Sequence, residues 1–177
     1  MRRFLDRLYA ASGALAALCL AGVAAVMLAQ AGMRTAGYLL RGADDIVAWL
    51  CAASAFLALG YTFRHGDLVR VSLLIDRLPP RLRHRAEVAC LGAALIVVGY
   101  TTWAAASFVL ESWKFGELAQ GLIQIPIWIP QTSLVLGALI LEVAVLDELV
   151  VVLRGGTPSY RRAEEERLAN KDFSEIV

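Results

Sequence analysis

The sequence has few of the side chains that chemistry inside a membrane requires. Its two histidines, His65 and His84, lie outside the long apolar stretches. A haem-binding bundle would place axial ligands such as histidine inside those stretches. Ser54 and Ser107 lie inside those stretches, but no histidine or lysine shares the stretches with them to act as a base. The pattern argues against a membrane cytochrome and an intramembrane hydrolase, so we expect neither catalysis nor a cofactor.

Cysteines and phosphate-binding glycine loops give no further candidates. The three cysteines fall in three different apolar stretches without a C-x-x-C spacing, which is typical of small packing residues rather than of a disulfide or metal site. No glycine-rich phosphate loop occurs. The formal net charge is only +1, so the overall charge does not indicate a nucleic-acid partner.

What the chain has in excess is apolar sequence. Of its 177 residues, 59% are hydrophobic and the mean hydropathy is +0.62, well above the roughly 45–50% apolar content of an average soluble domain. Four stretches approach or exceed the ~20 apolar residues that a membrane-spanning helix needs. They predict an all-α transmembrane domain over residues 1–153 and a polar cytoplasmic tail over 154–177, with four transmembrane helices at about 8–33, 46–63, 88–110 and 128–150.

The first span has a second interpretation. Arg2 and Arg3 precede it, and Ala29-Gln30-Ala31 has the small-x-small form of a signal-peptide cleavage site. The apolar run is much longer than the ~7–15 residues of a signal peptide. This length favours a retained first helix.

Basic residues are distributed unevenly around the predicted spans. Fourteen of the seventeen lysines and arginines fall before the first span, between the second and third, or after the fourth, and only three fall in the other two loops. Cytoplasmic loops carry the excess of Lys and Arg in membrane proteins. The pattern therefore predicts that both termini and the loop between spans 2 and 3 are cytoplasmic.

That cytoplasmic loop contains an amphipathic segment. From Leu68 to Leu78, apolar residues recur at helical spacing, which predicts a short amphipathic helix in the membrane interface that stops at Pro79. The segment also alternates like a strand, but a lone strand would have no ladder partner. Arginines of this loop are expected to contact anionic lipid headgroups, or simply to set the topology: Arg64, Arg70, Arg77, Arg81, Arg83 and Arg85.

Small residues recur at regular spacing along two of the spans. Such stripes let helix backbones approach closely in lipid, where apolar side chains gain little from associating. The sequence predicts packing seams here, and it leaves open whether they contact each other or a partner subunit. The seam residues are Gly13, Ala17 and Ala21 in the first span and Gly92, Gly99 and Ala106 in the third.

The fourth span follows two prolines and contains a carboxylate. Pro126 and Pro130 predict an ordered, non-helical approach along the outer interface, with the helix starting near Pro130. Glu142 would then lie roughly 18 Å along the helix, inside a ~30 Å hydrocarbon core. It is a candidate intramembrane polar contact. The alternative is that Glu142 begins a cytoplasmic-facing polar helix end together with Asp147 and Glu148, which reaches lipid headgroups or pairs with nearby arginines.

One stretch after the second span has a characteristic order of residues. It reads Arg64-His-Gly-Asp-Leu-Val-Arg-Val-Ser-Leu-Leu-Ile-Asp-Arg-Leu-Pro79. With this run the chain resembles the small integral membrane subunit of tripartite ATP-independent periplasmic (TRAP) transporters. Ser72 departs from the family pattern, which usually has an acid there, and Asp67-Leu68 replaces a commoner His-hydrophobic pair. The resemblance continues through residues 111–117, 125–130, 137, 146–149 and 153–158.

The resemblance implies a function that the residues alone do not. Subunits of this family pair with a much larger transport subunit, and a periplasmic binding protein delivers the substrate, usually an organic acid. The large subunit moves substrate and sodium by an elevator-like motion, and the small subunit braces its stationary part. We therefore expect a bacterial inner-membrane protein whose partners are the large TRAP subunit, the binding protein and membrane lipids.

Two other functions remain as alternatives. A self-assembling four-helix channel or exporter would use Glu142 to line a pathway. An anchor subunit for a redox enzyme would bind haem, and the positions of the two histidines argue against it.

Overall fold

The structure, a computed structural model, describes residues 2–65, 79–156 and 158–159 of the chain. Those residues form four long helices and no strand, so the all-α prediction with four long helices is confirmed. The helices are α1 Arg2–Thr35, α2 Ala43–His65, α3 Pro80–Phe115 and α4 Trp128–Leu153.

Two predicted features fall on the other residues. The interfacial helix expected between Leu68 and Leu78, with Ser72, lies outside the described residues. Nearly all of the polar tail, from Tyr160 onward, lies outside them as well.

Three of the helices are long and apolar enough to cross a membrane: Phe4–Thr35, Ala43–His65 and Leu82–Phe115. α4 has 26 residues, about 39 Å at 1.5 Å per residue, and it carries three carboxylates in its second half. Its length exceeds a ~30 Å hydrocarbon core. A count of four spans stays a prediction.

Local sequence explains where α3 begins and ends. Pro79 precedes the helix and Pro80 occupies its first turn, where a missing N–H would have no helical partner in any case. At the other end Gly116 adopts a left-handed φ of 62°, a conformation that glycine enters without steric cost. Its N–H donates to the carbonyl of Trp113.

The helices lie side by side in the order α1, α2, α4, α3, and α1 also touches α4. α2 is antiparallel to α1 and parallel to α4, because Tyr61 of α2 lies against Gly13 of α1, and Gly60 against Ile140 of α4. The arrangement has two ends. At the Arg64 end α1 and α3 begin, and α2 and α4 finish; at the Asp45 end the reverse holds.

The main apolar core sits at the Arg64 end. Tyr9, Phe63, Leu91, Val145 and Val152 bring side chains from all four helices together there. Away from this core many large apolar side chains on α1, α3 and α4 are exposed. A soluble monomer does not normally expose contiguous apolar surface on this scale, so the helices require lipid or another protein around them.

Candidate functional site: polar ties at both ends of the helices

Arg64 joins three helices at the end of α2. Its Nη2 lies 2.5 Å from Oδ1 of Asp6 in α1, and its Nη1 donates to Oδ2 of Asp147 in α4 at 3.4 Å. The guanidinium carbon lies 5.1 Å from the centre of the buried Tyr9 ring. A planar guanidinium with several donors can serve two carboxylates and an aromatic face at once. This Arg64 cluster (Arg64, Asp6, Asp147 and Tyr9) ties α1, α2 and α4 together.

A second carboxylate near this end is also satisfied. Glu148 is buried at 3% exposure, and its Oε2 accepts a hydrogen bond from the backbone N–H of Ser159 at 3.0 Å. The Ser159 hydroxyl donates to the other oxygen of the same carboxylate. The chain just after α4 therefore folds back onto the helix and supplies the donors that a buried carboxylate needs.

At the opposite end a carboxylate holds two loops together. Asp45, in the first turn of α2, accepts hydrogen bonds through Oδ2 from the backbone N–H of Leu122 at 2.8 Å and of Ile123 at 3.2 Å. Gly42 lies against Ile123, because a Cβ added to this glycine would come within 2.5 Å of Ile123 Cγ1. We call Asp45, Leu122 and Ile123 the loop clamp. It fixes the α1–α2 loop against the α3–α4 loop.

The α3–α4 loop is itself ordered. Ala119 donates its N–H to the carbonyl of Ile125 at 2.8 Å, and Ile127 donates to the carbonyl of Glu117 at 3.0 Å. α4 then begins at Trp128. The ordered, non-helical approach predicted before the fourth helix is confirmed, with the helix starting two residues before Pro130. Its position along an outer membrane interface stays a prediction.

Between the two ends, α2 and α4 cross at glycines. A Cβ added to Gly60 would lie 2.6 Å from Cγ2 of Ile140, and a Cβ added to Gly137 would collide with the Phe56 carbonyl oxygen and lie 2.8 Å from Phe56 Cβ. Backbones can approach this closely only where a side chain is missing. Sequence reasoning did not select either glycine as a seam residue.

The stripe predicted on α1 lies along α2 only in part. Gly13 contacts the Tyr61 ring, whose Cγ would lie 2.9 Å from an added Cβ. Ala17 and Ala21 are exposed, and Ala17 lines an open groove of about 640 Å³ between α1 and α2. Ser12 donates its hydroxyl to the carbonyl of Leu57 beside this groove, so a hydrogen bond also joins the two helices.

The stripe predicted on α3 lies beside the packed face of that helix. Gly92 has no other atom within 4 Å of an added Cβ, Gly99 faces the Glu142 carboxylate, and Ala106 is half-buried. The packed face alternates by three and four residues, one position away from these small residues. Its members are all buried or half-buried: Val88, Leu91, Leu95, Val98, Thr102, Ala105, Val109 and Ser112.

Glu142 stands apart from the polar helix end. It is half-buried, and its Oε1 would lie 3.4 Å from a Cβ on Gly99. Asp147 pairs with Arg64 and Glu148 bonds Ser159, whereas no hydrogen bond or ion pair joins Glu142 to any residue in the described part of the chain. A functional role for Glu142 stays a prediction.

Of the six arginines that the sequence assigns to the cytoplasmic loop, those that the structure describes lie in different environments. Arg64 contacts carboxylates of its own chain and its side chain is only 20% exposed. Arg83 is half-buried and Arg85 is exposed in the first turns of α3. The side chain of Arg81 lies outside the described set, as do Arg70 and Arg77 entirely. Lipid-headgroup contacts of the six arginines stay a prediction.

Sequence reasoning named Asp147 as part of a polar helix end that could pair with nearby arginines, but it missed Asp6 and Asp45, which complete the ties. Asp6, Asp45 and Asp147 lie near ends of predicted spans, and a carboxylate beside an apolar span is a detectable signal that a cation or donor is needed there.

Among the residues that the structure describes, no group of three or more His, Cys, Asp or Glu side chains could hold a metal ion.

The fold and its polar ties define a class of protein. In the part of the chain that the structure describes, long apolar helices expose apolar faces and are joined by ion pairs at the Arg64 end, which is the pattern of a multi-pass membrane protein. The DctQ component family of tripartite ATP-independent periplasmic transporters matches residues 23–155, about three-quarters of the chain, and the chain belongs to that family. The resemblance to the small TRAP subunit is confirmed. No curated protein matches the chain.

Membership in this family indicates a multi-pass protein of the inner membrane and a small subunit of a tripartite transporter. Its family works with a large membrane component and a periplasmic binding component, and it is a family of transporter components rather than of enzymes.

Proposed function

We propose that this chain is the small membrane subunit of a sodium-coupled, binding-protein-dependent TRAP transporter that imports an organic acid, and that it scaffolds the large transport subunit. The family match over residues 23–155 is the observation that carries the proposal. The chain spans the membrane four times with both termini in the cytoplasm, as the distribution of basic residues favours.

The arrangement of the helices supports a bracing role. The order α1, α2, α4, α3 leaves apolar faces on α1, α3 and α4 open to neighbours. The Arg64 cluster and the loop clamp tie the helix ends, so the layer resists splaying at both ends. A braced layer with open apolar faces is suited to widening and steadying a larger membrane protein.

The loop clamp supports a contact with the binding protein. Two loops that would otherwise move independently are joined by Asp45, and a fixed surface loses less conformational freedom when a partner docks. Under the predicted topology this surface faces the periplasm.

A channel or exporter lined by Glu142 gains no comparable support. The open groove of about 640 Å³ lies between α1 and α2, and Glu142 is not among the residues that line it. Glu142 instead faces Gly99 of α3.

Deleting the gene for this chain tests the proposal. Cells that retain the large subunit and the binding protein should lose sodium-gradient-driven uptake of labelled organic acids, and a plasmid copy of this chain should restore it. Immunoblotting checks that the large subunit is still in the membrane, and an unrelated carrier serves as the control for membrane energisation. Unchanged binding-protein-dependent uptake in the deletion strain would refute the proposal.

A further inference from the structure

α4 keeps one side open along most of its length. α2 and α3 flank it, and α1 meets it at the Arg64 end. From Leu136 onward its exposed apolar residues alternate by three and four positions, the spacing of a narrow seam that contacts one other helix. We call this set the α4 stripe: Ile129, Leu136, Leu139, Val143, Leu146, Val150 and Leu153.

Glu142 lies on the edge of the α4 stripe. Residues three and four positions apart share a helix face, so its neighbours on that face are Leu139 and Leu146. Glu142 lies about 21 Å from Trp128 and about 17 Å from Leu153 along the helix at 1.5 Å per residue. Glu142 is therefore far from either end of the helix. It is also the only ionisable residue of α4 before Asp147.

On its α3 side Glu142 lies against a glycine. Gly99 lies directly beside the carboxylate, and Gly92, two turns along α3, has no other atom within 4 Å of an added Cβ. Of these two glycines only Gly99 borders the carboxylate, which is half-buried and has no partner in the described part of the chain.

Lipid tails do not provide what this carboxylate needs. An ionisable group at that depth is expensive in hydrocarbon and normally pairs or faces the interior of an assembly. A basic side chain gives a charge-assisted hydrogen bond that lipid tails cannot. Apolar heptad spacing beside an unpaired carboxylate matches a partner helix that carries one basic residue.

We propose that the α4 stripe and Glu142 form the docking surface for a membrane-spanning helix of the large TRAP subunit, and that this helix places an arginine or lysine beside Glu142. This inference rests on the proposed function, because it takes the large subunit as the occupant. It adds the face of this chain that docks and the chemistry of the contact.

Co-purification of the large subunit with the tagged full-length chain tests the inference. Glu142→Gln keeps the shape of the side chain and removes its charge, so we expect the recovery of the large subunit to fall at least about tenfold relative to the wild-type chain. Glu142→Lys should recover still less. Glu111→Gln is the matched control, because Glu111 is exposed on α3 near the Asp45 end, away from the α4 stripe. Equal recovery with all three variants would overturn the inference.

A photoreactive residue at Leu139 in the otherwise wild-type chain gives a readout that does not depend on the Glu142 variants folding. The expected product is a cross-link to the large subunit. A cross-link only to lipid, or only to a second copy of this chain, would overturn the inference. If the wild-type chain recovers no large subunit at all, the proposed function itself fails; if it does and the Glu142 variants match it, only the docking surface fails.

Discussion

Replacing Gly137 by alanine tests how α2 and α4 are held together. The added methyl group would collide with the Phe56 carbonyl oxygen and lie 2.5 Å from the Phe56 carbonyl carbon. Because carbon atoms pack at about 3.5–4.0 Å, the two helices would have to separate by roughly 1 Å. The obstructing atoms belong to helix backbone and cannot rotate away, so we expect the overpacking to lower the free energy of unfolding by about 1–3 kcal/mol.

Two other glycines provide matched controls. In Gly60→Ala the nearest obstacle is a side-chain atom, Cγ2 of Ile140 at 2.6 Å, and the nearest backbone atoms are 3.4 Å away, so a loss is expected that is smaller than for a direct collision with backbone. In Gly92→Ala nothing lies within 4 Å, and a gain of up to about 0.5–1 kcal/mol follows from helix propensity. Titration of each purified variant from mild detergent into dodecyl sulfate, followed by circular dichroism, measures its free energy of unfolding. A Gly137→Ala variant as stable as Gly92→Ala would refute the reasoning.

Two further predictions concern the polar ties. Arg64→Met leaves Asp6 and Asp147 without their counter-ion, and we expect it to lower the free energy of unfolding by about 1–3 kcal/mol. The loss should be smaller than for a fully buried pair, because the Asp6 side chain is half exposed. An unchanged dodecyl sulfate titration would contradict this prediction. Asp45→Ala removes the acceptor of two backbone N–H groups in the α3–α4 loop, at an expected cost of about 1–3 kcal/mol locally, so limited proteolysis should cut residues 117–127 faster. Asp44→Ala removes an exposed hydrogen bond from the Gln30 side chain of α1, and this variant should be cut at the wild-type rate. Equal cleavage rates for the two variants would argue against the loop clamp.

Helix existence could be predicted because it follows from local sequence. Each of the four predicted spans lies inside one observed helix, since a chain in lipid must satisfy its backbone hydrogen bonds within the segment. Two helices extend well past the predicted spans: α1 begins at Arg2 and α3 begins at Pro80. Hydropathy limits the apolar part of a helix, whereas helical hydrogen bonding continues through charged flanks such as residues 81–87.

Helix pairing could not be predicted, because it depends on which helices become neighbours. The sequence drew attention to glycines in rows, such as Gly92 and Gly99, yet the closest backbone approaches occur at the isolated Gly60 and Gly137. Arg64 was grouped with five other arginines as a headgroup contact, although Asp147, 83 positions away in sequence, is one of its partners. Periodicity carries no information about contacts over that separation.

The positions of the ionic contacts explain why Glu142 is the residue to test first. In lipid, apolar side chains add little to helix association, so this chain relies on glycine crossings in the middle of its helices and on charged contacts near their ends. Of the three carboxylates in α4, Asp147 pairs with Arg64 and Glu148 bonds Ser159. Only Glu142 lies in the middle of the helix, on its open side, with no partner among the described residues. The proposed docking surface accounts for this difference, because a subunit that satisfies its other two α4 carboxylates internally would pair the third with a basic residue of the large subunit.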